Sequence, residues 1–243
     1  IGWLAQQSSG DARRALNQLE LLAPYLKKEP HKEIKQLATI LEKKTLYYDK
    51  DREEHYNLIS ALHKSLRGSD PQAGLYWLAR MLEAGEDPRY IVRRLIRFAS
   101  EDVGLADPQA LVQAIAVKEA VLFIGMPEAS TALAQLVVYL ATAPKSNSLY
   151  TAYEAAAEDA RKTSHYGVPF HIRNAPTKLM KDLGYGAGYK YDHDFDNKYA
   201  YQKYFPEQME EKTYYIPGEF GFEKEIAKRI QWWIKLRQEK DKK

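Results

Sequence analysis

The sequence predicts an all-α fold, and three observations carry the prediction. Asp70-Pro71, Asp87-Pro88 and Asp107-Pro108 each set an acidic cap before a proline suited to the first helical turn, with Gly85 and Gly104 in the breaks between the segments they open. Residues 107–144 are almost uncharged outside Lys118, Glu119 and Glu128, and their apolar residues recur at helical spacing. No stretch alternates long enough to pair as strands.

Taken in order, Ser8-Ser9-Gly10-Asp11 caps an amphipathic helix, ARRALNQLELLAPYL, with Leu16, Leu19, Leu22 and Leu26 on one side. A helix so short is marginal alone, so that face needs cover. Residues 27–50 are polar and read as a connector with one weak helix over 32–43. Residues 53–66 carry Tyr56, Ile59, Leu62 and Leu66 at helical spacing. The three proline-started helices follow at uneven intervals and with unmatched faces, which predicts a compact bundle rather than a repeat array.

The hub of that bundle is the hairpin over 107–144. Its first helix carries Leu111, Ala114, Ile115, Leu122 and Phe123; Gly125 stops it, and Pro127 starts a second with Leu133, Leu136, Val137 and Leu140. A helix apolar on most of its circumference must be covered on most of it, by its own chain or by another subunit. Beyond Pro144 an alanine-rich helix spans 148–162, 165–176 is irregular, and a short helix over 176–183 closes at Gly184. From Tyr185 to Phe222 tyrosine, glycine and aspartate crowd together without a period, as in a long ordered loop wrapped on the bundle or a functional surface. A last helix runs from about Glu219 to Lys240, with Ile226, Ile230, Trp233 and Ile234 on one face and lysines at its end.

With 243 residues, 45% hydrophobic and 28% charged, the chain can bury a full core and is not disordered throughout. A net charge of +3 is too small to diagnose a nucleic-acid partner. The absence of cysteine removes disulfides, thiolate metal sites and a cysteine nucleophile, and fits a cytoplasmic protein. No apolar run approaches membrane-helix length and no signal peptide is visible, so no membrane partner is expected. The chain opens Ile1-Gly2-Trp3 without an initiator Met and reads as a fragment.

Motifs for independent chemistry fail. Gly184-Tyr185-Gly186-Ala187-Gly188 has the wrong spacing for a dinucleotide loop and follows a helix, and no Gly-Lys-Ser or Gly-Lys-Thr occurs. His165, His171 and His193 with Asp192, Asp194 and Asp196 suggest turn chemistry more than a metal site. No nucleophile stands beside a base. Arg89, Arg93, Arg94 and Arg97 share one helix; they can contact phosphates or pair with Glu101 and Asp102, and pairing is favoured. The tyrosines of 185–215, interleaved with Lys190, Lys198, Lys203 and Lys212, could stack on single strands, although acidic residues there, among them Asp192, Asp194, Asp196, Glu207 and Glu210, suit a packed loop equally well. Arg13 falls in the first turn of its helix, where the dipole favours an acid; from there it can reach an anion such as a γ-phosphate, or simply be a surface arginine.

Several long motifs match a known family. SGDARRALNQLE resembles the sensor-2 helix of clamp-loader-like AAA+ ATPases. The run HYNLISALHKSLRGSDPQAGLYWLARMLEAGEDPRYIVRRLIRFASEDVGLADP resembles the replication-associated recombination protein A family, the MgsA and Werner-helicase-interacting-protein-like ATPases. The likeness resumes at LAQLVVYLATAPKSNSLYTAYEAA, VPFHIRNAPTKLMKDLGYGAGYKYDHDF and YYIPGEFGFEKEI, and so covers essentially the whole chain. It departs at DKDREE over 49–54, where a glycine-containing turn is expected, and is weak over 27–43.

The resemblance implies an ATPase, using ATP and Mg through an upstream Walker domain, that acts at stalled or damaged replication forks. Its expected partners are DNA, single-stranded DNA-binding protein and further copies of itself in a homotetramer. By the same carry-over this chain keeps the end of the AAA+ lid (1–27), a connector (28–50) and a clamp-loader-collar-like helical oligomerisation domain (51–243). Arg13 would be the sensor-2 arginine that reaches ATP held by the upstream domain. Leu133, Leu136, Val137 and Leu140 are the expected oligomerisation residues, and Arg93, Arg97 and Lys190 the expected DNA contacts. The chain itself is expected to bind no cofactor or metal and to turn nothing over. The alternative reading makes it a nucleic-acid or protein docking module in its own right.

Overall fold

The aspartate caps form as the spacing predicts. The computed structural model describes Trp3, residues 12–28 and residues 33–240, with the side chains of 12–15, 17 and 39–54 among those left outside. The helices are α1 (Ala12–Lys28), α2 (Ile34–Arg67), α3 (Pro71–Glu83), α4 (Pro88–Phe98), α5 (Gln109–Ile124), α6 (Ser130–Thr142), α7 (Ser148–Lys162), α8 (Lys178–Asp182) and α9 (Glu223–Lys240). No strand occurs among the described residues, so the fold is all-α. Asp70 accepts from the Gln72 and Ala73 amides at 3.0 and 2.9 Å, Asp87 from Arg89 N at 2.9 Å, and Asp107 from Gln109 N at 3.1 Å. Each carboxylate satisfies an amide that the helix start leaves unpaired.

These caps aim the apolar stripes inward. Helix α2 packs on α3 and α6, α3 on α6, α4 on α5, and α5 on α6. Leu62, Leu66, Met81, Ile91, Leu95, Phe98, Leu133, Leu136 and Leu140 are shut from solvent between them. Each side chain of that size contributes about 1.5–3 kcal/mol by leaving water. Close approach needs Gly74: a Cβ there would stand 3.0 Å from Val137 Cγ1 and 3.2 Å from Leu66 Cδ2.

One long helix replaces the expected connector. Helix α2 runs unbroken from Ile34 to Arg67, where the sequence reads as a polar connector, a weak helix over 32–43 and a separate helix from Glu53. The reason is local: residues 34–67 contain no glycine or proline, and Lys, Glu and Leu are good helix formers even where no apolar stripe marks them. Helix α1 packs on α2, with Leu22 buried against Leu37 and with Trp3 and Leu26 beside them.

The C-terminal region is an ordered strap. Gly221 sits at φ 57° where a Cβ would overlap the Ala106 carbonyl, and the next amide, Phe222 N, donates to that same oxygen at 2.8 Å. Glu223, fully buried at the start of α9, accepts from Tyr215 Oη at 2.8 Å and Gly218 N at 2.9 Å. Tyr214 donates to Asp159 of α7 at 2.9 Å. Gln202 holds Lys190 through both its amide atoms. Arg237 of α9 stacks over Tyr201 at 4.8 Å and pairs with Glu211 at 3.0 Å.

Candidate functional site

The residues expected to carry oligomerisation are core residues of the chain itself. Leu133, Leu136, Val137 and Leu140 on α6 are at most 1% exposed, covered by α3, α2 and α5. A side chain shut inside its own bundle cannot meet a second copy, so that assignment is corrected. Helix α6 is apolar on most of its circumference because it is the central helix.

Helix α5 is different. It buries Ala110, Ala114, Val117 and Val121, and on the opposite side exposes Leu111, Val112, Ile115, Leu122 and Phe123 at 42, 58, 41, 53 and 93%. Small residues turn inward and large apolar residues turn outward, the reverse of an ordinary amphipathic helix. Ile124 and Met126, at 55 and 41%, extend the face around the turn that Gly125 makes at φ 78°. Exposed apolar surface that is contiguous rather than scattered marks an interaction site. Periodicity finds these residues and cannot tell which side of the helix the chain covers.

The outward arginines of α4 are occupied. Arg89 Nε lies 3.3 Å from Asp87, Arg97 Nε donates to Glu101 at 2.6 Å, and Arg93 lies over the Tyr90 ring at 5.5 Å. The favoured pairing reading therefore describes Arg97, and neither Arg93 nor Arg97 presents a bare cation. Lys190 lies in the strap, its ammonium donating to the Tyr201 carbonyl at 3.3 Å. The three expected DNA contacts are thus each engaged within the chain, two on α4 and one in the strap. Arg13 belongs to the first turn of α1, and its side chain lies outside the described residues.

A different cation escapes the sequence reading. Arg94 and His63 lie on the inward sides of α4 and α2, one helical step from Ile91, Leu95 and Phe98 and from Ile59, Leu62 and Leu66. They line a cavity of about 400 Å³ with Tyr56, Ser60, Lys64, Arg67 and Tyr90. Arg94 Nε and His63 Nε2 are buried without a hydrogen-bond partner. Burial, then the Arg94 charge, lowers the His63 pKa to about 4, so the imidazole is neutral at physiological pH. Arg67 is held at one corner by Asp102, at 2.5 and 3.1 Å. A charged residue flanking an apolar stripe is the available signal; the regular spacing of Arg89, Arg93 and Arg97 marks the other side of the helix.

Among the described residues, no three His, Asp or Glu side chains converge as metal ligands would, and no helix is long and apolar enough to cross a membrane.

Comparison with known proteins matches residues 68–234 to the family model described as the MgsA AAA+ ATPase C terminal, and residues 1–67 to that of an AAA C-terminal domain. The chain is 47% identical over 234 residues to the replication-associated recombination protein A of Escherichia coli K12, covering 94% of this chain and 52% of that protein. It is 40% identical over 230 residues to the protein of the same name in Bacillus subtilis, covering 93% and 54%. It is 46% identical over 232 residues to the ATPase WRNIP1 of Dictyostelium discoideum, covering 87% and 26%. The chain spans about half the length of the bacterial relatives it matches.

Proposed function

Because this chain belongs to the MgsA family of AAA+ ATPases, matching its C-terminal model over 68–234, we propose that it is the self-association and positioning part of a DNA-dependent AAA+ ATPase of replication, recombination and repair. The observation that carries this reading is the inverted face of α5, with Leu111, Ile115, Leu122 and Phe123 outward. In a closed assembly such a surface is covered by another copy, and a stripe of this kind suits helix-to-helix packing between subunits. The resemblance supplies the subunit number, four, and the clamp-loader-collar likeness; nothing in α5 counts subunits.

On this reading the parent protein holds ATP and Mg in an upstream domain, and residues 1–27 end its lid. Arg13 is then the sensor-2 arginine, at a helix start from which a guanidinium reaches a γ-phosphate. The boundaries 28–50 and 51–243 would separate connector from oligomerisation domain, although α2 crosses position 50 as one helix. DNA and single-stranded DNA-binding protein are the partners of the parent, the site of action is cytoplasmic, and the chain alone turns over no ATP.

Light scattering across a range of protein concentrations tests the core of the proposal. The chain is expected to form one discrete oligomer, a tetramer, and Ile115→Glu with Phe123→Glu, both exposed and so tolerated by the fold, is expected to leave a folded monomer. A native chain that stays monomeric throughout, or a double variant that assembles as the native does, overturns it.

A further inference from the structure

We propose that the cavity between α2 and α4 binds a nucleotide through its phosphate group, with Arg94, Lys64 and His63 facing the phosphate oxygens and the nucleotide ring lying along Tyr56 at the rim. This goes beyond the proposed function, since it places a ligand on a side of the bundle that self-association through α5 does not use.

The wall of the cavity is cationic and lacks acids. Its charged lining is Lys64, Arg67 and Arg94. Asp102 neutralises Arg67, and Glu101 is taken by Arg97, so Arg94 and Lys64 remain as charges with no ion pair among the described residues. A guanidinium partly buried without a counter-ion is costly, and an anion held in the cavity beside it offsets that charge. Arg94 Nε and His63 Nε2, both shut from solvent, stand unpartnered in two residues of the same wall.

The chemistry selects phosphate. Donors come from two helices, a forked guanidinium from α4 with an ammonium and an imidazole from α2, and such a set suits an anion with several oxygens pointing apart. A neutral imidazole can donate one hydrogen bond to that anion without first taking a proton. His63 is held in place by its edge-to-face contact with Phe98, centroids 5.5 Å apart. The rings come next. Tyr56 is 66% exposed at the rim, and Tyr90 is fixed between His55, at 4.5 Å, and the Arg93 guanidinium. His55 is in turn paired with Glu86. Aromatic faces beside a cationic groove are how bases are held without sequence readout. A volume of about 400 Å³ lies within the range that holds one small ligand.

Two sources present the same unit, a free mononucleotide and a residue within a single strand, and the experiment separates them. Thymidine 5′-monophosphate, a short oligothymidylate and inorganic phosphate are each titrated into the whole chain. The imidazole resonances of His63 are followed by NMR, and affinity by calorimetry. The expected result is saturable binding of the nucleotide or the oligonucleotide with an upward shift of the His63 pKa, because the anion offsets the charge that Arg94 and Arg67 impose beyond what Asp102 and Glu101 return. Arg94→Gln is expected to weaken binding about tenfold or more, the scale of one lost charge-assisted hydrogen bond. Lys64→Gln, on an exposed side chain, gives the same direction without risk to the fold, while Arg89→Gln, whose guanidinium faces Asp87 outside the cavity, leaves affinity near native. Tighter binding of the monophosphate assigns the free nucleotide, and tighter binding of the oligonucleotide assigns the strand; either supports the site. Inorganic phosphate binding as tightly as the nucleotide, no His63 response to any probe, or equal losses from Arg89→Gln and Arg94→Gln overturns it.

Discussion

His63 shows how much one buried side chain can attach to pH. Its pKa falls from 6.5 to about 4, chiefly because burial penalises the imidazolium and secondarily because Arg94 is close. The folded state therefore refuses a proton that the unfolded chain accepts first. Stability is whole above about pH 6.5 and declines as pH falls from there toward 4, with a total of up to roughly 3 kcal/mol from this residue. His63→Phe keeps the ring packed on Phe98 and removes the titration. Denaturant unfolding at a series of pH values is expected to give a shallower decline between 6.5 and 4 for the variant than for the native chain, and equal slopes would take the effect away from His63. The sequence contains this histidine on an apolar helix face, at a place where a satisfied core residue is the ordinary expectation. What it does not reveal is the arginine that α4 brings beside it from 31 positions further along.

At the scale of the element, Asp107 joins two helices at once. One carboxylate oxygen takes the Gln109 amide at the start of α5, and the other accepts from Tyr139 Oη of α6 at 2.6 Å. That second bond, with some burial, pushes the Tyr139 phenol up to about 12. Asp107→Ala removes a cap and a buried-side partner together, and should destabilise by about 1–2 kcal/mol. In the variant the Tyr139 phenol should titrate back toward 10, read by its ultraviolet absorbance. An unchanged Tyr139 titration in Asp107→Ala would dissociate the two roles. The cap is legible in the Asp-Pro spacing because capping is a local event. The bond to Tyr139 is not, because it spans 32 positions and depends on how the hairpin closes.

For the molecule as a whole, the strap fastens the last helix to the hub. Gly221 is the tightest point, backed by the carbonyl of Ala106 at the end of the α4–α5 link. Any Cβ at 221 combines a positive φ with a collision against backbone, so Gly221→Ala should cost more than the roughly 1 kcal/mol of conformation alone. Limited proteolysis is expected to cut the variant within 199–240 while leaving 55–162 protected. Uniform resistance equal to the native chain would mean that α9 is held without this contact. The exposed apolar surfaces follow the same logic. Trp232, Trp233 and Ile234 on α9 stay 43–47% exposed, and Leu16 on α1 is 62% exposed. Amphipathic faces named from sequence are thus real as patterns, and only some of them are covered.

The sequence by itself determined the class of fold, the capped starts of α3, α4 and α5, the stop at Gly125 and the family, because caps, turns and motifs are read within a few residues. It did not determine that 34–67 is one helix, since helix propensity without an apolar stripe leaves no periodic mark. Tertiary structure alone decided that α6 is the buried centre and α5 the helix with its large residues outward. Two neighbouring helices of similar composition cannot be ranked by pattern; which becomes the core depends on what packs around each. It also decided which arginines of α4 meet an acid, Arg89 and Arg97, rather than Arg93 or Arg94. Pairing depends on where Asp87, Glu101 and Asp102 come to lie in space, and only the closed bundle fixes that.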